Sequence, residues 1–243
     1  MGSIWGIIPA AGSGTRIQPL AFSKELLPVG SFCSDGKERP KAISEYLIDR
    51  MKAGGVSKLI IVISSGKWDI VRYYGQGNGD IHFCYTVQQN PGGLCDAIFR
   101  GLPFISDDDQ VVVGLPDTVW FPEDALRWLP DDSLSFLLFP VDEPQFYDAV
   151  EIDIDGFVKK IHVKQSGCME KWIWGAFKLT GKIMRELYGL WSEREPRDEY
   201  FGTLVNAYLQ KGGSAKGFRA GESYVDVGTL NGYREAMELL SKK

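Results

Sequence analysis

Two cations and two carboxylates stand out in this sequence because each lies beside the end of a short apolar run. The run at residues 4–8 closes with Pro9 and gives way to Ala10-Ala11-Gly12-Ser13-Gly14-Thr15-Arg16, and Lys24 follows in Phe22-Ser23-Lys24-Glu25-Leu26-Leu27-Pro28. A loop of small residues after a strand lets backbone N–H groups converge on phosphate oxygens. Arg16 and Lys24 beside it suit a polyphosphate, whereas a tight turn with two solvated charges is the plainer alternative. Asp117 follows the run 111–113 in Leu115-Pro116-Asp117-Thr118, and Asp226 ends another in Tyr224-Val225-Asp226-Val227-Gly228-Thr229. Mg²⁺ takes one or two carboxylates together with phosphate oxygens and water, so two acids at two strand ends meet its needs. Taken singly, Asp117 reads as a turn residue and Asp226 as a cap for the last helix. Gln88, in Val87-Gln88-Gln89-Asn90-Pro91-Gly92-Gly93-Leu94, offers donor and acceptor to a nucleobase edge, although the segment alone reads as a turn.

The elements that must position these residues follow from hydrophobic spacing. Runs at 4–8, 59–63, 81–87 and 111–113 read as strands, the β-branched 59–63 as one buried on both faces of a parallel sheet. Between them, 40–55 and 94–102 show helical spacing, and the alternation specifies a doubly wound sheet. The second half changes rhythm, with strands expected at 134–141, 149–154, 158–163 and 172–179 and a hairpin signal at Asp155-Gly156. Helical patterns return at 182–190, 201–209 and 230–240. The polar stretch 31–39 reads as a surface loop. The expected fold is α/β, a three-layer α/β/α Rossmann-like arrangement with a mixed, mainly parallel sheet and a small β-rich subregion. It is read as one domain, with an alternating strand–helix part at 1–133, a β-rich part at 134–228 and a C-terminal helix at 229–243.

Composition narrows the classes. The 243 residues are 44% hydrophobic and 24% charged, with net charge -5, so no global positive field exists to hold nucleic acid or an anionic membrane. Any anionic substrate must meet local cations. No apolar stretch approaches the ~20 residues of a membrane span, and the N-terminus lacks a basic n-region, so a cytoplasmic location is expected. Four cysteines without a C-x-x-C pair and only two histidines argue against structural zinc.

With these residues assembled, the chain resembles the sugar-1-phosphate nucleotidylyltransferases, especially the glucose-1-phosphate thymidylyltransferase and uridylyltransferase branch. The resemblance is carried by the signature from Ala10 to Arg16 and Lys24-Glu25-Leu26-Leu27-Pro28, then by Gln88, Gly93, Asp117, Lys164, Gly175 and Asp226 in consistent order. It implies transfer of a nucleotidyl group from an NTP, dTTP or UTP, to a sugar 1-phosphate, with pyrophosphate released. Arg16 and Lys24 would be catalytic, and Ala11, Gly12, Ser13, Gly14, Thr15, Gln88 and Gly93 would hold the nucleotide. Lys164, Gly175 and Asp148 would face the sugar phosphate, and Asp117 and Asp226 would hold Mg²⁺. Neither nucleic acid nor membrane is an expected partner, and self-association into a homo-oligomer is left open.

The departures cluster on the sugar side. Where the family usually has Glu-Lys-Pro, this chain has Val163-Lys164-Gln165, and Asp148 follows Tyr147 where glycine is common. These two changes motivate a second reading, a non-catalytic homologue that binds nucleotide sugars. A third, a glycosyltransferase with an Asp-x-Asp metal site, finds that spelling at Asp107 to Asp109 and at Asp153-Ile154-Asp155, both better explained as solvated turns. Because Asp226 lies near residue 243, a short catalytic core with little room for an added regulatory domain is expected.

Overall fold

The structure, a computed structural model, describes residues 2–77 and 79–241. In chain order its elements are β1 (Ile4–Pro9), β2 (Pro28–Ser34), β3 (Lys37–Ala42), α1 (Ile43–Ala53), β4 (Lys58–Ile63), α2 (Trp68–Tyr74), β5 (His82–Val87), α3 (Gly93–Phe99), β6 (Gln110–Gly114) and β7 (Thr118–Phe121). There follow β8 (Leu134–Pro140), β9 (Asp148–Ile152), β10 (Val158–Val163), β11 (Trp172–Thr180), α4 (Gly181–Ser192), α5 (Phe201–Gln210), β12 (Ala215–Phe218), β13 (Ser223–Asp226) and α6 (Leu230–Ser241). Positions 242 and 243, counted above in the last helix, lie outside the described residues.

The continuous apolar runs become the middle of a mixed nine-stranded sheet ordered β10-β9-β11-β6-β1-β4-β5, with β8 and β12 joined to it through β11. β1 runs parallel to β4 and β6, with Ile7 opposite both Ile60 and Val113, and β5 is parallel to β4. The direction reverses at β11, which is antiparallel to β6 and β8, and β9 and β10 form the antiparallel hairpin expected at Asp155-Gly156. Successive residues of β1 point to opposite layers, as a strand requires. Ile7 belongs to the core layer that holds Ile98 of α3, Leu187 of α4 and Leu204 of α5, whereas Ile8 belongs to the one that holds Leu47 and Met51 of α1 and Ile70 of α2. Helices therefore cover both faces, which is why these strands are apolar throughout.

Strand β12 has no counterpart among the expected elements, and three further features differ from expectation. Residues 31–39 are not a loop but the facing strands of a hairpin, Phe32 opposite Arg39, turned by Asp35 (φ 53) and Gly36 (φ 72). The hairpin stands apart from the main sheet, so its strands carry the polar side chains that made them read as loop. Helix α2 is short and built from aromatic and β-branched residues of modest helix propensity. Strands β7 and β13 pair with each other rather than with the main sheet. Arg50 of α1, 2% exposed, fastens that small pair to the body: its Nε donates to the Trp120 carbonyl of β7 at 2.8 Å and its Nη1 to the Tyr46 carbonyl at 2.8 Å.

Phe201 opens α5 with its ring stacked on Phe177 of β11, centroids 4.2 Å apart, and it is 1% exposed. Phe201→Ala should lower the unfolding free energy by about 3–5 kcal/mol in a urea titration. A loss under roughly 1 kcal/mol would show that α5 docks without this contact.

Candidate active site

The carboxyl ends of β1, β4, β5 and β6 meet at one edge of the sheet, where open α/β sheets place their ligands. From β1 comes the glycine loop with Arg16, and just beyond β6 comes Asp117. Asp226 ends β13, whose pairing with β7 sets it opposite Thr118, and Val227 N–H donates to the Asp117 carbonyl at 2.8 Å. The structure thus brings together residues as far as 210 positions apart. Lys24 Nζ lies 2.5 Å from Asp117 Oδ2, and Arg16 Nη2 lies 3.3 Å from Asp226 Oδ2.

The electrostatics follow from two acids sharing one small space. Burial, and after it the like charge of Asp117, push the Asp226 carboxyl up; the Gly228 N–H, Arg16 and Lys24 pull against them. Burial works to lower the Lys24 ammonium, but Asp117, with Glu25 and Asp226 behind it, more than offsets this and holds it above its ordinary value. Lys24 is therefore a fixed cation, not an amine nucleophile. The donor set also fits a divalent cation. A Cβ built on Gly228 would stand 2.7 Å from Asp226 Oδ1, 2.9 Å from Arg16 Nη2 and 3.4 Å from Asp117 Oδ2, so both carboxylates and the guanidinium converge where that side chain is missing. Two carboxylate oxygens, with room for phosphate oxygens and water, are a set that Mg²⁺ accepts.

A second ion pair, which sequence reading did not find, holds this arrangement from below. Lys67, on the segment after β4, is 8% exposed, and its Nζ donates to both oxygens of Glu25, at 2.7 and 2.8 Å, and to the Ala10 carbonyl at 2.8 Å. It thereby ties the start of the glycine loop to the segment that carries Lys24. Burial of Glu25 outweighs the attraction of Lys67 and raises its carboxyl above the usual range. Gly14, at φ 65, has the Lys24 chain lying against it, and a Cβ there would meet Lys24 Cδ at 2.8 Å.

Two hollows lie side by side, sharing Pro9, Gly12 and Leu94 in their linings. One, of about 410 Å³, is lined by Gly12, Arg16, Lys24, Asp117 and Asp226 on one wall and by Asp148, Lys164, Trp174 and Tyr200 on the other. The second, of about 490 Å³, is lined by Ala11, Gly12, Ser13, Gln88, Gly93 and Leu94. The Gln88 amide donates to the Gly93 carbonyl at 3.2 Å and to Asp96 Oδ2 at 2.7 Å, so any further bond from its side chain is one accepted at Oε1. Gly93 takes φ 82, and a Cβ there would stand 2.7 Å from Glu199 Cα; that approach lets Leu94 N–H donate to the Glu199 carbonyl. Thr15 lines neither hollow. Gly175 does not line them either: it sits at a β11 irregularity beneath the rings of Phe139 and Tyr224.

Lys164 leaves the end of β10 at φ 44, a strained value for a non-glycine residue, and so does not share a strand face with His162. Its Nζ stands 4.6 Å above the Tyr200 ring. His162 bonds Glu151 and Gln165 and is a polar strand residue. Burial pushes the Asp148 carboxyl up to about 6, opposed by the nearby Trp174 N–H and by Lys164. Trp174 and Tyr200 were not singled out from sequence, being aromatic residues whose role depends on which strand edge they reach. The Asp-x-Asp spellings lie elsewhere: Asp107 pairs with Arg185, Asp109 accepts from Ser3 and Ser106 N–H, and Asp153 closes its own hairpin. A larger hollow of about 550 Å³ is lined by Asp142, Glu143, Glu222, Glu235 and Glu238, a setting that repels phosphate.

Residues 5–243 match the family model described as nucleotidyl transferase. The chain is 25% identical to the glucose-1-phosphate thymidylyltransferase of Mycolicibacterium smegmatis, covering 97% of this chain and 81% of that relative. It is 23% identical to the UTP–glucose-1-phosphate uridylyltransferase of Mycoplasma pneumoniae, covering 95% and 89%. In fold it matches, with a TM-score of 0.84 and 22% identity, a Bacillus anthracis chain assigned as a glucose-1-phosphate thymidylyltransferase and solved with a sucrose, covering 99% and 96%.

Lys67→Met should cost about 3–5 kcal/mol in denaturant titration, because it strands a buried carboxylate and the Ala10 carbonyl. Adding Glu25→Leu should recover most of that loss, and simply additive effects would contradict the coupling. Asp148 gives a pH signature. Its folded value of about 6 lies above the ordinary 3.8, so its charge costs nothing below pH 3.8, progressively more up to pH 6, and its full amount above. The gain in stability of Asp148→Asn over wild type should therefore grow across that window, to roughly 3 kcal/mol at pH 8. A difference that does not change with pH would contradict the burial of this charge.

Proposed function

The chain belongs to the nucleotidyl transferase family, and from that premise we propose that it joins an NTP to a sugar 1-phosphate, giving a nucleotide sugar and pyrophosphate. The observation that carries this reading is the single hollow in which Arg16, Lys24, Asp117 and Asp226 face Lys164. Phosphoryl-type transfer asks for positioning and charge neutralisation more than for covalent help, and that wall supplies both. A phosphate oxygen of the sugar 1-phosphate attacks the α-phosphorus of the NTP, and the bond to the bridging oxygen breaks as pyrophosphate leaves. The acceptor phosphate is already mostly ionised near pH 7, with a second pKa of ~6, so no general base is needed. In this reading Lys24 neutralises the α-phosphate, Arg16 holds the departing pyrophosphate, and Lys164 holds the sugar phosphate.

Asp117 and Asp226 would hold Mg²⁺, which when bound neutralises charge on the phosphate oxygens. The loop N–H groups from Ala11 to Thr15 would meet the polyphosphate. Oε1 of Gln88, the one free valence of that side chain, suits the N3–H of thymine or uracil, which favours dTTP or UTP. Gly93 would let the base lie close to backbone. A cytoplasmic setting goes with these substrates, and among the described residues no helix is long and apolar enough to cross a membrane.

Incubation with Mg²⁺, a panel of NTPs and a panel of sugar 1-phosphates should release pyrophosphate and form a nucleotide sugar, fastest with dTTP or UTP. No pyrophosphate from any pair, with nucleotide sugar still bound, would overturn this reading in favour of a binding homologue. Asp117→Asn and Asp226→Asn should each lower the rate by on the order of 10²-fold or more, with a higher Mg²⁺ requirement. Rates within a few-fold of wild type would remove both residues from the mechanism.

A further inference from the structure

Burying a hydrogen-bonding atom without a partner costs about 1–3 kcal/mol, so each such atom needs an explanation. Side-chain atoms of this kind occur in Trp5, Arg50, Thr86, Gln110, Trp120, Asp148 and Trp174, and of these residues only Asp148 and Trp174 line the hollow that holds the charged quartet. Their placement follows from register. Ala149 of β9 is paired with Ile173 of β11, so one step along this antiparallel pair sets Asp148 beside Trp174, while Val163 of β10 lies on the other side of Asp148. Neighbours across strands bring their Cβ atoms to roughly 5 Å. Trp174 is 6% exposed. Its indole N–H lies close enough to Asp148 to favour the ionised carboxylate, yet neither Nε1 nor Asp148 Oδ1 has a partner in hydrogen-bonding geometry.

A lone acceptor beside a lone donor selects its ligand by chemistry. An ammonium group would satisfy the carboxylate and leave the indole N–H without an acceptor. A phosphate or carboxylate oxygen would satisfy the indole and be repelled by Asp148. A hydroxyl does both, donating its O–H to the carboxylate and accepting from the indole. Lys164, whose charge reaches Asp148, lines the same wall and supplies the cation for a phosphate on the same molecule. Resting on the transfer reaction proposed above, we infer that Asp148 and Trp174 together bind one hydroxyl of the glycosyl phosphate and make it a requirement for turnover. A site built to hydrogen-bond a hydroxyl rejects the analogue without it far more strongly than an apolar pocket rejects an added one.

The test uses α-D-glucose, α-D-galactose and α-D-mannose 1-phosphates, with their monodeoxy counterparts, and reads kcat/KM of the full chain from pyrophosphate release. Wild type should lose about 100-fold or more for removal of one particular hydroxyl. In Trp174→Phe and Asp148→Asn that penalty should shrink at least several-fold, with the KM for NTP unmoved. Indole N–H resonances provide a second readout: the one absent from Trp174→Phe should shift in wild type with the parent sugar phosphate and not with the penalised deoxy analogue. Penalties equal in wild type and both variants, or an unmoved indole resonance, would overturn this inference alone. Failure of wild type to release pyrophosphate from any pair would overturn the proposed reaction and this inference with it.

Discussion

Two aspartates facing one point repel each other, and the ends of β6 and β13 can be held together only if that repulsion is compensated. The chain does so with its own cations, Lys24 on Asp117 and Arg16 on Asp226. Much of the surrounding structure serves this balance. The main sheet delivers the glycine loop and Asp117 to one edge, the separate β7–β13 pair delivers Asp226, and Arg50 fastens that pair to α1. The buried Glu25–Lys67 pair then fixes the segment bearing Lys24 to the root of the loop. A polyphosphate with its metal would substitute for these contacts, the cations facing the phosphates and the two acids holding the metal. The site is thus preorganised for a ligand that carries both signs.

Much of this was legible in the sequence because it depends on short-range signals. Continuous β-branched runs marked the buried strands, and acids or small residues directly after them marked the edge where ligands bind. What was hidden depends on long-range pairing. Lys67 carries no signal of its own because nothing nearby in sequence announces Glu25, 42 positions away. Trp174 and Tyr200 stand out only once strand order sets them along the same hollow. The hairpin at 31–39 gives little strand signal because β3 is exposed along most of its length and shows no alternation, and α2 gives little because seven residues carry too little periodicity.

The wall opposite the quartet shows a different compromise. Asp148 Oδ1 and the indole Nε1 of Trp174 are buried without partners, and Lys164 is held at positive φ, all in one region. Strain and unsatisfied polarity of this sort survive where a ligand relieves them. The changes from the family pattern, Val163 and Asp148, are paired across β9 and β10. A carboxylate is thus absent on one strand and present on its neighbour, so the chemistry of the wall is rearranged and not abolished.

The proposed transfer passes directly between two phosphates, in a site whose lysine is locked as a cation. Exchange of labelled pyrophosphate into NTP separates this from a covalent route. With enzyme, Mg²⁺, NTP and labelled pyrophosphate, the label should enter NTP only when sugar 1-phosphate or nucleotide sugar is also present, because the nucleotidyl group has no other acceptor. Label entering NTP with enzyme alone would reveal a nucleotidyl group held covalently on the protein and would contradict the account.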